Sequence, residues 1–395
     1  MERKIGIVSL NLHTVEPNYG SGLQTFALYS AIRQIGYCAE VIDYLPEYRS
    51  GINMKWGRIP WKNPLRLLLY IVNLPSALRK WKDFMTFFAG RMLISRKFDW
   101  LHFDTDEYAL YVVGSDTIWN VQQTRGFDPA FFATFPCMRG KSIAYAPSFG
   151  DSRYSIEEAR RFRKMIGGFS CLSVREPVNL DAFGELLPKV RVVLDPTMLF
   201  NAVWYEPLVK HPRGRKKYIL LYQIYSDDLR MVEMVDEFAK RHGLNVIEVS
   251  KFCYHKYPCA VRAIMNLLRK MGVKRGAYLV HRNNAIPHEM HLGATIGEWL
   301  GYIMDAEFVV TNSFHGTIFS LLFQKNFFCY SRPDASSKMR SLCKMLGVEG
   351  RFLEDESILN DDAIDYVNVV NPKIEGMRKE SWEYLRDAVG AGLRR

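Results

Sequence analysis

The chain has 395 residues, of which 48% are hydrophobic and 24% charged, and it carries a net charge of +11. That length exceeds what one growing hydrophobic core serves, so two domains are expected, and the balance excludes a disordered or fibrous protein. The basic excess points to an anionic partner (nucleic acid, a phosphorylated substrate or an anionic membrane) without choosing among them.

The seven cysteines are scattered with no CxxC, so no disulfide framework is expected. The opening MERKIGIVSLNL turns polar too soon for a signal peptide and reads as a strand. No window holds the roughly 18 consecutive apolar residues of a spanning helix. A cytoplasmic, reduced protein is the expectation.

In chain order, 5–10 predicts a strand, 18–22 (NYGSG) a Gly-containing loop, 23–35 a helix ending at Gly36, and 39–44 a second strand, a βαβ signature. Residues 51–103, rich in Trp, Lys and Arg with Leu and Phe between, interrupt it. Alternation resumes with strands at 109–113, 142–146, 171–174 and 190–194 and helices at 156–166 and near 180–187. The stretch 200–217, with Pro207, Pro212 and the basic run HPRGRKK, reads as a linker. A second block then places strands in YILLYQI, NVIEVS, EFVVTNS and NFFCY, with helices at 227–242, 296–304, 314–323 and 338–346. The fold class is therefore α/β. Two open Rossmann-like domains, 1–200 and 201–370, face a cleft, followed by a helix within 371–395. No internal repeat or low-complexity tract is present.

Open α/β sheets bind ligands at the carboxyl ends of their strands. Four such places stand out: NYGSG, GSDTIWN (114–120), VREP with Arg175 and Glu176, and TNSFHGT (311–317). The glycines of the first let backbone N–H groups approach a phosphate, but it lacks GxxxxGK[ST], and Thr25 stands where GxGxxG needs its third glycine; a plain turn is the alternative. His315 falls where a strand becomes a helix, near helix-terminal N–H groups. Capping is its bland reading, yet histidine is a poor cap and Asn312 and Ser313 are at hand. Arg175 and Arg340 are candidate anion clamps, against the base rate of solvated arginines. Asp116 is a candidate base or substrate ligand, or a turn-former.

Metal and nucleophile readings are weaker. Cys253, His255 and Cys259 cluster, and His281, His288 and His291 follow, without a zinc spacing. HEMH is not HExxH, and no GxSxG, DxD or EF-hand pattern occurs, so no metal is expected.

NYGSGLQTFAL, GSDTIWN, IAYAPSFG, LSVREP, VLDPTML, VVTNSFHGTIFSLLF and SSKMRSLCKMLG together resemble the polysaccharide pyruvyl transferase family, in that family's order, from residue 5 to about 351. The resemblance implies a fold similar to the glycosyltransferase-B arrangement, with the C-terminal helix crossing back to the first domain. It implies phosphoenolpyruvate as donor, a hexose or hexosamine diol of a surface glycan as acceptor, and no cofactor. His315 matches the family's SFHG histidine, Arg175 the arginine after the VRE strand, and Arg340 that of the following segment. Ser313, Gly316 and Thr317 join them as donor-binding candidates. Asn18, Gly20, Trp119, Asn120 and Ser148 are the acceptor- or loop-binding candidates. Ser21 stands where many members carry an acid. The segment at 51–103 is not part of the common pattern.

Within it, residues 54–97 leave two readings open. Trp56, Trp61 and Trp81, with Lys55, Arg58, Lys62, Arg66, Arg79, Lys80 and Lys82 and the leucines at 65 and 67–69, suit an anionic membrane on the inner face of the plasma membrane. The alternative is a subdomain that packs them inward. A nucleotide-sugar glycosyltransferase, separable by its nucleoside diphosphate product, and a nucleic-acid-binding protein are the competing functions. Against the latter, the basic stretches are mixed with Trp and Leu and match no recognised nucleic-acid motif.

Overall fold

The computed structural model describes residues 3–394 apart from 52, 58, 104–106, 178, 213, 215–216, 225–228, 251–287, 331–335 and 355–357. The first domain runs β1 (Lys4–Val8), α1 (Tyr19–Gln34), β2 (Cys38–Leu45), α2 (Pro64–Arg91), β3 (Ile94–Asp99), β4 (Leu110–Val113) and β5 (Ser142–Ala144). Its sheet has the order β3-β2-β1-β4-β5 with every pair parallel. The central runs KIGIV and LYVV are apolar because crossover helices cover both faces of such a sheet. After α3 (Ile156–Ile166), begun by a Ser155–Glu158 capping box, come the parallel pair β6 (Leu172–Val174) and β7 (Val190–Val192). Main-chain bonds from Ala144 N–H to Cys171 O and from Arg175 N–H to Pro147 O fasten β6 beside β5.

A short helix, α4 (Ala202–Tyr205), leads into the second domain. There β8 (Tyr218–Gln223), α5 (Leu229–His242), β9 (Asn245–Ser250), β10 (His288–Met290), α6 (Ile296–Met304), β11 (Phe308–Thr311), α7 (Phe314–Leu322), β12 (Asn326–Tyr330), α8 (Ser336–Leu346) and β13 (Phe352–Leu353) precede α9 (Asn371–Leu393). This sheet is also parallel, in the order β10-β9-β8-β11-β12-β13. In both sheets the order reverses beside the first strand, so the gaps between β1 and β4 and between β8 and β11 are topological switch points.

The two domains share one apolar core. The Tyr19 ring stacks on Trp299 at 5.1 Å and its hydroxyl donates to Ala294 O at 2.7 Å. α9 returns to the first domain, where the Tyr384 hydroxyl donates to Ala144 O and Ser381 Oγ accepts from Leu194 N–H. Two Rossmann-like domains around a cleft, with the last helix crossing back, make a fold of the glycosyltransferase-B type.

Residues 51–103 are a crossover rather than an excursion, since β3 is the edge strand of the first sheet. Its sequence ISRKFD buries only Phe98 fully, which hid it from the apolar pattern. The second half of α2 packs inward: a Cβ at Gly22 of α1 would lie 2.9 Å from the Phe84 ring. Lys80 is buried, donates to Ser250 O at 3.0 Å and sits 4.3 Å from the Tyr19 ring centroid. Arg79 donates to Gly293 O and Glu298, and Trp81 is partly buried against the core. These three are therefore engaged within the protein, as the inward-packing alternative expects. Among the described residues no helix is long and apolar enough to cross a membrane.

Candidate active site

Both switch points open onto one place. α1 starts at Tyr19, and the Asn18 side chain before it makes no cap bond, so the first-turn N–H groups keep their outward polarity. α7 starts at Phe314, capped by Ser313 Oγ, which accepts from Gly316 N–H at 3.2 Å. The two helix starts touch. A Cβ at Gly20 would lie 2.1 Å from His315 Nδ1, so only glycine lets α1 approach the imidazole this closely.

Around His315 the strand ends deliver charge. Asp116 follows β4, Arg175 follows β6 and Asp195 lies three residues beyond β7. Arg175 Nη1 donates to Asp195 Oδ2 at 2.8 Å and Nε to Glu176 at 3.2 Å. His315 Nε2 stands 3.5 Å from Asp195 Oδ2, within ion-pair range but without a hydrogen bond. Thr197 fixes the other oxygen of Asp195 through its N–H and hydroxyl. From the second domain, the guanidinium of Arg175 meets the Phe314 ring at 4.2 Å, and Lys338 Nζ lies 5.4 Å from the same ring.

The electrostatics follow from that crowding. Burial alone would raise the Asp116 pKa, but the charges of Arg175, His315 and Lys338 and the Thr117 N–H outweigh it and hold the carboxyl below its usual range. Burial also works against ionised Asp195, yet His315, Arg175 and Thr197 hold it far lower. Asp116 adopts a left-handed backbone, φ 73°, which aspartate tolerates better than most residues and which turns it into the cluster. Two nitrogens of the cluster, His315 Nε2 and Arg175 Nη2, are buried without a hydrogen-bond partner among the described residues. A buried guanidinium nitrogen left open is costly unless a ligand completes it.

Of the residues singled out in the sequence, the structure brings together Gly20, Asp116, Arg175 and His315, with Asn18 half-buried at the edge. It sets others apart. Arg340 is exposed, ion-paired with Glu354 and lies over the Phe352 ring. It lines a cavity of about 450 Å³ with Asp151, Arg153, Pro177 and Ser336, whereas Lys338 of the same helix is buried, faces the Phe314 ring and lowers the Asp116 pKa by its charge. Trp119 is fully buried with Nε1 donating to Phe131 O, because its indole belongs to the aromatic core. Asn120 Oδ1 accepts the N–H groups of Gln122 and Gln123, and Ser148 Oγ is bonded to Glu176. These three build turns and core instead of lining a binding surface. Ser313 and Thr317 likewise spend their hydroxyls on the first turn of α7, and a Cβ on Gly316 would meet Thr311 Oγ1 at 2.6 Å. Ser21 Oγ donates to Leu10 O.

Sequence reasoning missed Asp195, Phe314 and Lys338. Asp195 carried a usable signal, an acid after a strand in VLDPTML. Cys253, His255, Cys259 and His281 lie outside the described residues. His288 is buried between Asp236 and Glu248, and among the described residues no group of three His, Cys, Asp or Glu side chains is arranged to hold a metal.

Gly20→Ala tests the contact of the two helix starts. A methyl group there would press on the buried His315 ring and Cβ, so the thermal melt should fall despite alanine's better helix propensity, and displacement of His315 should cut turnover by about 10²-fold. Unchanged turnover would mean that the imidazole position is not critical.

Solved structures of similar shape are remote in sequence. They include a UDP-bound MnaA of S. aureus (11% identical, 98% of this chain and 92% of that one, TM-score 0.47) and an α,α-trehalose-phosphate synthase of Burkholderia vietnamiensis (9%, 100% and 98%, 0.39). The UDP-GlcNAc 2-epimerase of Methanocaldococcus jannaschii with UDP-GlcNAc and UDP matches at 12% identity over 99% of this chain and 93% of that one, with a TM-score of 0.44. No curated protein matches the chain. A family model described as polysaccharide pyruvyl transferase matches residues 18–334, the span holding Gly20, Asp116, Arg175, Asp195 and His315. The chain belongs to the polysaccharide pyruvyl transferase family, and its activity is pyruvyl transfer onto polysaccharide.

Proposed function

We propose that the donor is phosphoenolpyruvate and that the product is a cyclic pyruvate ketal on a hexose or hexosamine of a lipid-linked glycan precursor. The observation that carries this reading is the open Nη2 of buried Arg175, set beside Lys338 and two helix starts. A compact donor with a carboxylate and a phosphate suits that group of donors and positive ends.

In this reading His315 gives a proton to the methylene carbon of the donor while a sugar hydroxyl adds to the adjacent carbon. The C–O bond to phosphate then breaks, releasing inorganic phosphate. A second hydroxyl of the same sugar closes the ketal and loses its proton. Asp116 is the base for the attacking hydroxyl. Its pKa is held low without ligand, so its basicity rises when the donor anion takes over the charges of Arg175 and Lys338. Asp195 acts at one remove, holding Arg175 and facing His315. Fixing both hydroxyls near the donor supplies much of the rate.

The test is phosphate release from phosphoenolpyruvate in the presence of glycan acceptor, with and without chelator. Glycan-dependent phosphate release that survives the chelator is expected, since arginine, lysine and helix ends balance the donor charge. Nucleoside diphosphate released from a sugar nucleotide, with phosphoenolpyruvate untouched, would replace this reading with glycosyl transfer. Activity restored only by a divalent cation would contradict the charge assignment.

A further inference from the structure

We propose that the first half of α2 and the turn before it dock on an anionic lipid surface. Pro64, Leu68, Ile71, Val72 and Pro75 fall on one side of the helix at spacings of four, seven, eight and eleven residues, and all are exposed. Leu68 and Ile71 keep 55% and 56% of their surface in solvent, and Trp61, three residues before the helix, keeps 73%. The other side of the helix is already satisfied. Tyr70 and Ala77 pack on Leu292, and the Tyr70 hydroxyl donates to Trp56 O. An apolar stripe that remains outward after the inner face is buried needs a partner of its own.

Charge decides which partner. Residues 48–82 contain no Asp or Glu and, besides Arg79 and Lys80 with their protein partners, six further Lys and Arg. Lys62 is exposed at the start of the stripe, and exposed Lys82 continues its face seven residues beyond Pro75. Half-exposed Trp56, its ring 4.8 Å from Lys55 Nζ, adds an aromatic group of the kind that sits among lipid headgroups. An interfacial helix needs this combination of apolar residues to enter the acyl boundary with cations and tryptophan beside them. A second copy of the chain would bring like charges together across a two-fold axis, and a nucleic acid would leave the apolar stripe unused.

The same helix continues inward to Phe84, which packs against α1 at Gly22, so one helix carries both the docked face and a contact with the start of α1. If the acceptor is lipid-linked, which rests on the function proposed above, this holds the site beside its substrate. Docking itself does not depend on that reading.

The experiment is flotation of the full-length protein with vesicles of phosphatidylcholine alone or mixed with phosphatidylglycerol. The expected result is co-flotation with the anionic vesicles, reduced about 10²-fold in Leu68→Glu/Ile71→Glu/Val72→Glu and about ten-fold in Lys62→Gln/Lys82→Gln. Turnover on a short unlipidated glycan should match wild type in both variants, which reports an intact fold. Failure of the wild type to bind anionic vesicles, or flotation of the triple variant at the wild-type level, overturns the proposal. So does sedimentation showing that the wild type self-associates and the triple variant does not. A protein that floats yet leaves phosphoenolpyruvate unconsumed keeps the docking surface and refutes the proposed donor instead.

Discussion

His315→Ala is expected to lower single-turnover chemistry by roughly 10²–10⁴ while leaving donor affinity largely intact. A general acid acts mainly in the transition state, so its loss spares the ground state. His315 sits between the first turn of α1 and Asp195, at the junction of both switch points, and no other imidazole in the described structure reaches this cluster. Its removal opens space in a polar setting without leaving an unpaired charge of its own, and Asp195 keeps Arg175 and Thr197. The fold should therefore survive, and a melt close to wild type is part of the expectation. Titration calorimetry with phosphoenolpyruvate beside rapid-quench rates separates the two effects. Near-normal chemistry in the variant would reduce His315 to a binding or capping residue.

Arg175→Ala should do the reverse, weakening the donor complex and also the protein. The guanidinium holds Asp195 at 2.8 Å and Glu176 at 3.2 Å, with Asp116 near enough to have its pKa lowered. Deleting the cation strips buried carboxylates of their compensation, and breaking a buried pair from one side typically costs about 3–5 kcal/mol. A lower denaturation midpoint is expected together with loss of donor binding. Arg175→Lys separates the two roles. It restores a positive charge, so part of the stability should return, but it cannot present the two-pronged fork, so donor affinity should stay low. Recovery of both would mean that charge alone is what the site needs.

Much of this was legible in the chain, for identifiable reasons. β1, β4, β8 and β11 are uninterrupted apolar runs bounded by polar loops, so the two parallel sheets and the residues at their carboxyl ends could be read directly. β3 and β10 could not, because an edge strand such as ISRKFD buries too little to display a pattern and HEM is three residues long. Proximity to a strand end did not decide which way a side chain faces. Asp116 turns into the cluster through its left-handed backbone, while Trp119 and Asn120, a few residues on, turn into the core and the next turn. The choice between Arg340 and Lys338 depended on helical register. Two residues along a helix amount to about 200° of rotation, which turns one cation to the Phe314 ring and the other to Glu354. Asp195 lay in a quoted motif, but its partners come from β6 and α7, a convergence that only the folded chain brings about.

Mass spectrometry of a glycan acceptor panel, free and lipid-linked, after incubation with the pure protein and isotope-labelled phosphoenolpyruvate decides whether pyruvate is transferred from this donor. One acceptor should gain the mass of labelled pyruvate less one water, matched mole for mole by inorganic phosphate, and the gain should be absent with His315→Ala. A panel that gains no label, or that gains a sugar only when a nucleotide sugar is supplied, would contradict that transfer.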